Sequence, residues 1–318
     1  MTTENTPSSD DNFNAVVNAE CIHSEQQNVA DLEPAPAHTF GPKASRLLAA
    51  DLSRRRPSPN CNTAILGSKE GSLAQMLRYE APAITVVHPD PHVLRVYEND
   101  VWFSPETVQA AERVGRKLEV KRAIIGRAVP SYLELRCASP TSTGLKGGTF
   151  GLVIIEQAHK ADLPLVIAEA KRLLQPGGRL VLMGYMPLRV EPNDAADRDT
   201  ADQISRTILR FITADLKPFR SAGEQHLFTG FKNVDPSLQE VICIDPRSEF
   251  EMVADWNRDE LLKHMLDWPS VANMHASGQI LGFGHLRQLL KEVWGSKGTR
   301  RRIRWPVSIS SGTVQPTA

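Results

Sequence analysis

The sequence predicts an α/β fold with a mostly parallel sheet and helices on both faces. Between residues 63 and 183, short apolar runs alternate with segments of helical periodicity. The turn Gln175-Pro176-Gly177-Gly178 ends one such helix and leads into the next apolar run, because proline and glycine disfavour continuation of a helix. Alternation of this kind is typical of βαβ units, which place parallel strands side by side.

The predicted elements follow one another along the chain. Strands are predicted at 63–66, 84–87, 133–137, 152–155, 180–183, 238–244 and 305–309. Helices are predicted at 44–52, 72–79, 92–97, 108–118, 163–174, 204–211, 259–266 and 285–294. The strand–helix rhythm stops after Tyr185, where a polar and acidic stretch follows.

Composition limits the function classes. The chain has 318 residues, 37 basic and 37 acidic, and a net charge of zero argues against a protein that coats nucleic acid or an anionic membrane. No apolar stretch approaches the roughly 18–20 residues needed to span a bilayer. The four cysteines lie far apart and match no metal-ligand spacing, which predicts reduced thiols, no metal site and a cytoplasmic location.

Both ends of the chain are predicted to lie outside the folded domain. Residues 1–40 are polar, contain several prolines and lack hydrophobic periodicity, so they predict a disordered leader. The leader contains no lysine or arginine, unlike a presequence. The folded domain is predicted at 41–309 and a flexible tail at 310–318.

A glycine-containing turn follows the first predicted strand, with Gly67 and Gly71 four residues apart. In open α/β sheets, ligands bind outside the carboxyl ends of the strands, where such turns lie. A tight strand-to-helix turn needs glycines whether or not it binds a ligand, so both interpretations stay open at this point.

Several segments resemble a known family. They are Phe150-Gly151-Leu152-Val153-Ile154-Ile155, Gln157-Ala158-His159, the run from Ala168 to Leu180, Gly230-Phe231, Asp267-Trp268-Pro269-Ser270 and Arg304-Trp305-Pro306-Val307. Over about 38–309 the chain resembles class I S-adenosylmethionine-dependent methyltransferases, and among them the fungal trans-aconitate methyltransferase-like group. The resemblance implies a Rossmann-like, seven-stranded, mostly parallel sheet. It also implies a helical cap, inserted at about 188–237 and completed by helices within 257–295.

The resemblance implies that S-adenosyl-L-methionine is the cofactor, held by the glycine loop and by acids at the ends of the first three strands. The loop positions fall on Gly67, Lys69 and Gly71. The ribose-binding acid is replaced by His88, and the third-strand acid by Ser139 or its neighbour Ala138, so the motif is degenerate. A lost charged hydrogen bond costs roughly 1.5–3 kcal/mol. Asp90 either compensates by reaching the ribose or caps a turn.

The resemblance also implies the reacting groups. His159 follows the fourth strand, and it or Glu156 is the candidate base. Alternatively, His159 and Asp162 only begin and cap the helix from Leu163.

Four residues are implied to line or support the substrate end of the cleft: Tyr185, Arg220, Trp268 and Ser270. They are accompanied by His226 and Phe231. Scattered aromatic residues in a cap also serve packing alone. A cation such as Arg220 suits a carboxylate substrate, since guanidinium and carboxylate pair through two hydrogen bonds.

The predicted function is therefore methyl transfer to a small molecule, as O-methylation of a carboxylic acid or secondary metabolite. The alternatives are a non-methylating catalyst, such as a cyclase in secondary metabolism, and a regulatory pseudoenzyme that has lost cofactor binding. The substrate and the oligomeric state are left open.

Overall fold

A computed structural model describes residues 39–40, 48, 50–52, 54–67, 72–77, 81–96, 132–185, 187–232, 234–235, 237–244, 250–279 and 281–314. The predicted helix at 108–118, most of the leader, and the loop residues Lys69 and Gly71 lie outside these residues.

The described residues form ten strands in one sheet. They are β1 (Thr39–Phe40), β2 (Asn62–Leu66), β3 (Ala83–His88), β4 (Tyr132–Cys137), β5 (Phe150–Ile155), β6 (Leu174–Tyr185), β7 (Arg189–Val190), β8 (Leu238–Ile244), β9 (Glu251–Trp256) and β10 (Arg301–Val314). The predicted strands are all present. The sequence prediction missed β1, β7 and β9.

Within the predicted helix at 44–52, the described residues 48 and 50–52 are helical, as are residues 54 and 55. The α-helices that follow are α1 (Ser72–Leu77), α2 (Pro91–Val96), α3 (Leu163–Leu173), α4 (Arg198–Arg210), α5 (Ala222–Phe228), α6 (Arg258–Leu266), α7 (Pro269–Ala276) and α8 (Leu281–Val293). A 3₁₀ turn at Ala158–Lys160 precedes α3, and a π-helical turn at Phe211–Asp215 extends α4. The short helices α5 and α7 were not predicted. No helix among the described residues has the length and apolarity needed to cross a membrane.

The main sheet has the order β4-β3-β2-β5-β6-β10-β8. Neighbours from β4 to β6 pair in parallel, and β10 pairs antiparallel with both β6 and β8. The predicted mostly parallel, seven-stranded sheet is therefore confirmed. The first half of β10 leaves this sheet and pairs with β7 and β9, and β9 in turn pairs with β1.

The end of β10 lies further along the chain than predicted. Residues 310–314 continue the strand between β6 and β8, so the tail predicted from 310 onwards is wrong over these residues. Ser310 and Ser311 are 4% and 2% exposed. In sequence, small polar residues look the same in a central strand as in a solvated tail. The neighbouring strands that pair with their backbone N–H and C=O groups are distant in the chain, so the sequence does not reveal them.

The Pro-Gly-Gly turn lies inside a strand rather than before one. Helix α3 ends at Leu173 and β6 begins at Leu174. Phe150 pairs with Leu174, whereas Leu152, two residues on, pairs with Arg179. The intervening residues of β6 therefore loop out as a bulge, which lets the chain pass from helix to sheet without a separate connection.

Two apolar clusters cover the two faces of the main sheet. Successive residues of a strand face opposite sides, so Ile65 belongs to one cluster and Ala64 and Leu66 to the other. The first cluster includes Ile208 of α4 and Leu290 of α8, and the second is covered by α3. By their residue ranges, helices α4 to α8 fall within 188–237 and 257–295, the spans predicted for the cap.

Candidate functional site

A cavity of about 420 Å³ opens at the carboxyl ends of β2, β3 and β5. This volume falls within the roughly 300–1,000 Å³ typical of small-molecule sites. Its lining consists of Leu66, Gly67, His88, Pro89, Pro140, Thr141, Ile155, Glu156, Gln157, Lys160, Ala161, Asp162, Val166 and Asp267. Open α/β sheets bind ligands at the carboxyl ends of their strands, and the cavity lies at this place. The glycine-containing turn after β2 predicted a ligand site here.

Gly67 follows β2 directly and lines this cavity. Its φ is +77°, and a Cβ atom there would lie 3.3 Å from the carbonyl oxygen of Glu156. Its N–H donates to the Val87 carbonyl at 3.0 Å, so the chain leaves β2 in close contact with the ends of β3 and β5. A side chain at this position is strained and would enter the space at the strand ends.

His88 and Asp90 form a turn at the end of β3. The Asp90 N–H donates to His88 Nδ1 at 3.0 Å, and Asp90 Oδ1 accepts from the His92 N–H at 2.8 Å. Asp90 therefore caps α2, the second of its two predicted roles. The His88 side chain lines the cavity at the position of the expected ribose acid.

Ser139 holds the loop after β4. Its hydroxyl lies 2.8 Å from the Thr141 hydroxyl and accepts from the Thr141 N–H at 3.3 Å. Pro140 and Thr141 line the cavity, whereas Ser139 does not belong to the lining. Ser139 thus shapes the loop, and its predicted contact with a cofactor stays a prediction.

Glu156 lies in the cavity wall directly after β5. Glu156 is 1% exposed, and its Oε1 accepts a hydrogen bond from the Tyr185 hydroxyl at 2.9 Å. Its backbone N–H donates to the Leu66 carbonyl at 3.0 Å. One hydrogen bond to its side chain and one from its backbone therefore hold this buried residue in place. The structure brings together Glu156 and Tyr185, which the sequence assigned to base and substrate roles.

Gln157 is a cavity residue that the sequence prediction missed. It is 6% exposed and has φ 53° and ψ 40°, in the left-handed region. A non-glycine residue held there is strained, and such strain is concentrated at ligand sites. No sequence signal marks this conformation, because glutamine is not a residue that favours it.

His159 lies one layer behind the cavity. It is 1% exposed, and its ring packs against Tyr185 and Trp268 at centroid distances of 5.8 Å each. The capping alternative does not describe this arrangement, since His159 belongs to the 3₁₀ turn and not to α3. Asp162 occupies the N-cap position of α3 but makes no side-chain cap hydrogen bond within the described residues, and it lines the cavity instead.

Ser270 serves the packing of the cap. Its hydroxyl donates to Glu224 Oε1 at 2.7 Å, and its N–H donates to the same oxygen at 3.2 Å. Glu224, 1% exposed, also accepts from the Ser221 N–H at the start of α5. Ser270 thus ties α7 to α5 rather than lining the cavity.

The described contacts of Arg220 are with residues of the cap. It donates to the Ile212 carbonyl at 2.9 Å, and its guanidinium carbon lies 3.7 Å from the centroid of the Phe228 ring. Burial lowers the pKa of Arg220, although the nearby Glu224 charge partly opposes this. Neither Arg220 nor Ser270 belongs to the described cavity lining, where their predicted substrate roles would place them.

The remaining cap residues named from sequence are separated. Phe231 is buried beneath the sheet, where a Cβ atom on Gly184 would lie 2.7 Å from its ring. His226 lines a smaller cavity of about 240 Å³ beside α3. Trp268 is 3% exposed and lies beside His159.

The charge of the cavity fits a sulfonium cofactor. Among the described lining residues, Glu156, Asp162 and Asp267 carry carboxylates and Lys160 carries an ammonium group. An excess of carboxylates favours a cation. Together with the volume and the close approach at Gly67, this donor set accommodates S-adenosyl-L-methionine, although the ribose position holds an imidazole. No group of three or more potential metal ligands occurs among the residues that the structure describes.

Comparison with known proteins gives one family match. Residues 66–182 match the family model described as "Methyltransferase domain", which covers less than half of the chain. No curated protein is significantly similar to the chain in sequence.

Three solved structures illustrate the structural similarity. A candidate type II methyltransferase from Anaeromyxobacter dehalogenans is 18% identical, with a TM-score of 0.55, and the match covers 89% of this chain and 100% of that one. A candidate methyltransferase from Bacillus halodurans C-125 is 13% identical, with a TM-score of 0.41 and coverages of 85% and 99%. The [4+2]-cyclase SpnF is 12% identical, with a TM-score of 0.40 and coverages of 91% and 92%.

The last two TM-scores are too low to support an argument, and at 18% identity the first match shows the fold alone. The sheet order, the match over residues 66–182 and the Anaeromyxobacter structure agree with one another. The chain therefore has the Rossmann-like α/β fold of class I methyltransferases.

Proposed function

We propose that the protein is an S-adenosyl-L-methionine-dependent methyltransferase that acts on an oxygen of a small molecule. The observation that carries this proposal is the buried Glu156 carboxylate, fixed by Tyr185 at the wall of a cavity of cofactor size. The proposal follows the resemblance to the trans-aconitate methyltransferase-like group in taking a secondary metabolite as the acceptor.

The charges around the cavity favour a neutral acceptor over a carboxylate. Arg220, the cation predicted to pair with a carboxylate, donates to Ile212 and stacks on Phe228. Of the described lining residues, three are acidic and Lys160 is the one lysine or arginine. A hydroxyl group avoids the repulsion that a carboxylate would meet there. We therefore propose a hydroxyl oxygen as the acceptor.

The chain's own residues supply orientation and proton acceptance. When bound, S-adenosyl-L-methionine supplies an electrophilic methyl group. Gly67 and His88 are proposed to contact it, because both line the cavity at the ends of the first two core strands. Glu156 is proposed to accept the proton of the substrate hydroxyl, and Tyr185 to hold the carboxylate in position. His159, behind the cavity, positions the ring of Tyr185.

Cofactor binding is tested by thermal unfolding with S-adenosyl-L-methionine and with S-adenosylhomocysteine. A ligand present at about 100 times its dissociation constant adds about 2.7 kcal/mol, so a clear rise in Tm is expected. ATP, which carries the adenosine but no amino-acid moiety, serves as the ligand control. A flat Tm at millimolar concentrations of both S-adenosyl-L-methionine and S-adenosylhomocysteine would remove the methyltransferase proposal.

Two alanine variants show whether the stabilisation comes from this cavity. Gly67→Ala places a Cβ atom 3.3 Å from the Glu156 carbonyl in a left-handed backbone, so it should reduce the ligand-induced rise in Tm. Gly298→Ala adds a Cβ atom with nothing within 4 Å and should leave that rise intact. An equal rise in both variants would place the ligand elsewhere.

A further inference from the structure

A second cavity, of about 240 Å³, lies beside α3. Its lining consists of Leu163, Pro164, Ile167, Ala168, Lys171, His226, Val234 and Asp235. None of these residues belongs to the described lining of the larger cavity at the strand ends. The volume is that of roughly eight water molecules at about 30 Å³ each. The cavity is therefore large enough for a small organic molecule and separate from the site of the proposed methyl transfer.

The two cavities lie against different faces of α3. The residues of α3 that line the smaller cavity occupy positions i, i+1, i+4, i+5 and i+8 from Leu163, which is one face of a helix. Val166, which lines the larger cavity, is turned by roughly 130° from the centre of this face, given 3.6 residues per turn. Leu165 belongs to neither lining and is 56% exposed. Helix α3 thus presents a separate face to each cavity.

The floor of the smaller cavity is apolar. Leu163 and Ile167 are 2% and 5% exposed and belong to the apolar cluster that α3 covers. Val234 packs against the same cluster from the loop after α5. Ala168, an exposed lining residue, has a side chain too short to cover the opening. The cavity therefore offers accessible apolar surface to the hydrocarbon part of a ligand.

The rim of the smaller cavity carries hydrogen-bond donors that are open to a ligand. Lys171 Nζ donates to Asp235 Oδ2 at 3.2 Å and to Ser237 Oγ at 2.7 Å. An ammonium group has three N–H donors, so these two bonds to described residues leave one for a ligand. His226, which lines the same cavity, adds the N–H of its imidazole ring.

Asp235, the one carboxylate of the described lining, is already satisfied. Its Oδ1 accepts from the Ser237 N–H at 2.9 Å and from the Ser237 hydroxyl at 2.7 Å, and its Oδ2 accepts from Lys171. Burial opposes the ionisation of Asp235, but the hydrogen bonds from Ser237 and Lys171 lower its pKa on balance. The rim thus combines open donors with an occupied acceptor. A charged donor binds an anionic acceptor more strongly than a neutral one, so this rim suits a carboxylate.

We propose that the smaller cavity binds small carboxylates that carry an apolar chain. The chain lies on Leu163 and Ile167, and the carboxylate accepts hydrogen bonds from Lys171 and His226. The bound molecule contacts α3, which also borders the larger cavity. The proposal does not rest on the proposed function, because the two described linings have no residue in common.

Hexanoate is the probe, and hexylamine, which carries a cationic head on the same chain, is its control. Binding to the full chain is measured by titration in saturation-transfer NMR. Hexanoate should bind saturably in the millimolar range expected for a ligand of this size. Hexylamine should bind at least about tenfold more weakly, because it cannot accept from Lys171. No saturation by hexanoate up to about 50 mM, or equal binding of the two probes, would overturn the proposal.

Two tryptophan variants locate the bound hexanoate. Ala168→Trp and Leu165→Trp add the same side chain at exposed positions of α3, but only Ala168 lines the cavity. Ala168→Trp should cover the opening and abolish saturable binding, whereas Leu165→Trp should leave it unchanged. Thermal unfolding establishes that both variants are folded. Binding that persists in Ala168→Trp, or that is lost equally in both variants, would place hexanoate elsewhere and overturn the proposal.

Two further variants test the charge, because both break the same ion pair and only one removes the proposed donor. Lys171→Met removes the ammonium group, whereas Asp235→Asn removes the competing carboxylate and keeps the ammonium group. Hexanoate should bind about tenfold more weakly to Lys171→Met, through loss of a charged hydrogen bond, and at least as tightly to Asp235→Asn. A rim that was merely distorted would weaken binding in both variants. Equal weakening in both, or unchanged binding to Lys171→Met, would overturn the proposal.

Discussion

At the scale of single residues, the site is built around one buried carboxylate and its phenol donor. Glu156 Oε1 accepts from the Tyr185 hydroxyl at 2.9 Å, and the two residues are 1% and 2% exposed. A hydrogen bond to a buried charged group is worth more than one between neutral groups. The pair therefore contributes to stability as well as to the proposed chemistry, and its contribution is measurable without knowledge of the substrate.

Tyr185→Phe should lower the free energy of unfolding by about 1.5–3 kcal/mol, because the buried Glu156 carboxylate loses its phenol donor. Urea denaturation measures this loss. The same substitution in a Glu156→Gln background should have a smaller effect, since a neutral amide depends less on the donor. Equal losses in the two backgrounds would contradict a specific interaction between Tyr185 and the carboxylate.

Gln157 provides a second test at this scale, because its left-handed backbone opposes its side chain. Gln157→Gly should be more stable than Gln157→Ala by about 1 kcal/mol, since alanine keeps the Cβ atom that makes this conformation unfavourable. Urea denaturation of both variants gives the comparison. Equal stabilities would show that the positive φ carries no strain in the folded chain.

Sequence reasoning predicted the site in part. It named Glu156, His159, Tyr185 and Trp268, which do lie together, because their positions relative to β5, β6 and the cap follow from the resemblance. It missed Gln157, whose significance lies in a backbone angle. It assigned Arg220 to the substrate, whereas this side chain contacts Phe228 and the Ile212 carbonyl, which the sequence does not place near it.

At the scale of elements, the short helix α5 packs against the 3₁₀ turn that carries His159. Helix α5 begins with a capping box, in which Ser221 and Glu224 satisfy each other's backbone N–H groups. The spacing Ser-x-x-Glu was therefore a sequence signal for this helix that the prediction did not use.

Strand β9 also had a sequence signal that the prediction did not use. It buries every second residue, Met252, Ala254 and Trp256, and this period of two is present in the sequence.

The contact between α5 and the 3₁₀ turn depends on Gly223. A Cβ atom at this position would lie 2.7 Å from the His159 carbonyl oxygen and 3.0 Å from that of Ala158. Both contacts are with backbone atoms, so Gly223→Ala should force the two elements apart and destabilise the chain by about 1–3 kcal/mol.

Gly298→Ala is the matched control for this contact, because its added Cβ atom meets nothing within 4 Å. It should change the free energy of unfolding by no more than about 0.5 kcal/mol. If urea denaturation gave the same small change for Gly223→Ala, α5 would not be held closely against the turn that carries His159.

At the scale of the whole molecule, ion pairs connect segments that are distant in sequence. Asp197 accepts two hydrogen bonds from Arg301, 104 residues away, and Arg301 is 4% exposed. Glu169 accepts from both Thr143 and Arg172, and so ties the loop after β4 to α3. Arg301 is the first residue of β10, and its partner Asp197 immediately precedes α4, so the sequence alone does not bring the two residues together.

These carboxylates give the chain a defined sensitivity to acid. Hydrogen bonds from Arg172, and then from Thr143, lower the pKa of Glu169 from 4.5 to about 2, and the hydrogen bond from Arg301 lowers the pKa of Asp197. A group whose pKa is lower in the folded state stabilises the fold above its unfolded pKa. The stabilisation by Glu169 should therefore be complete above pH 4.5 and lost as the pH falls towards about 2.

Glu169→Gln isolates this contribution, because glutamine keeps the shape of the side chain and does not titrate. Allowing for solvent screening at the exposed Arg172, Glu169 should account for about 1–2 kcal/mol of the stability lost in acid. Urea denaturation of the two proteins at pH 4.5 and pH 2 measures the difference, and the variant should lose less on acidification. If both proteins lost the same free energy across this interval, the link between α3 and the loop after β4 would not depend on the charge of Glu169, and acid sensitivity would have to come from pairs such as Asp197 and Arg301.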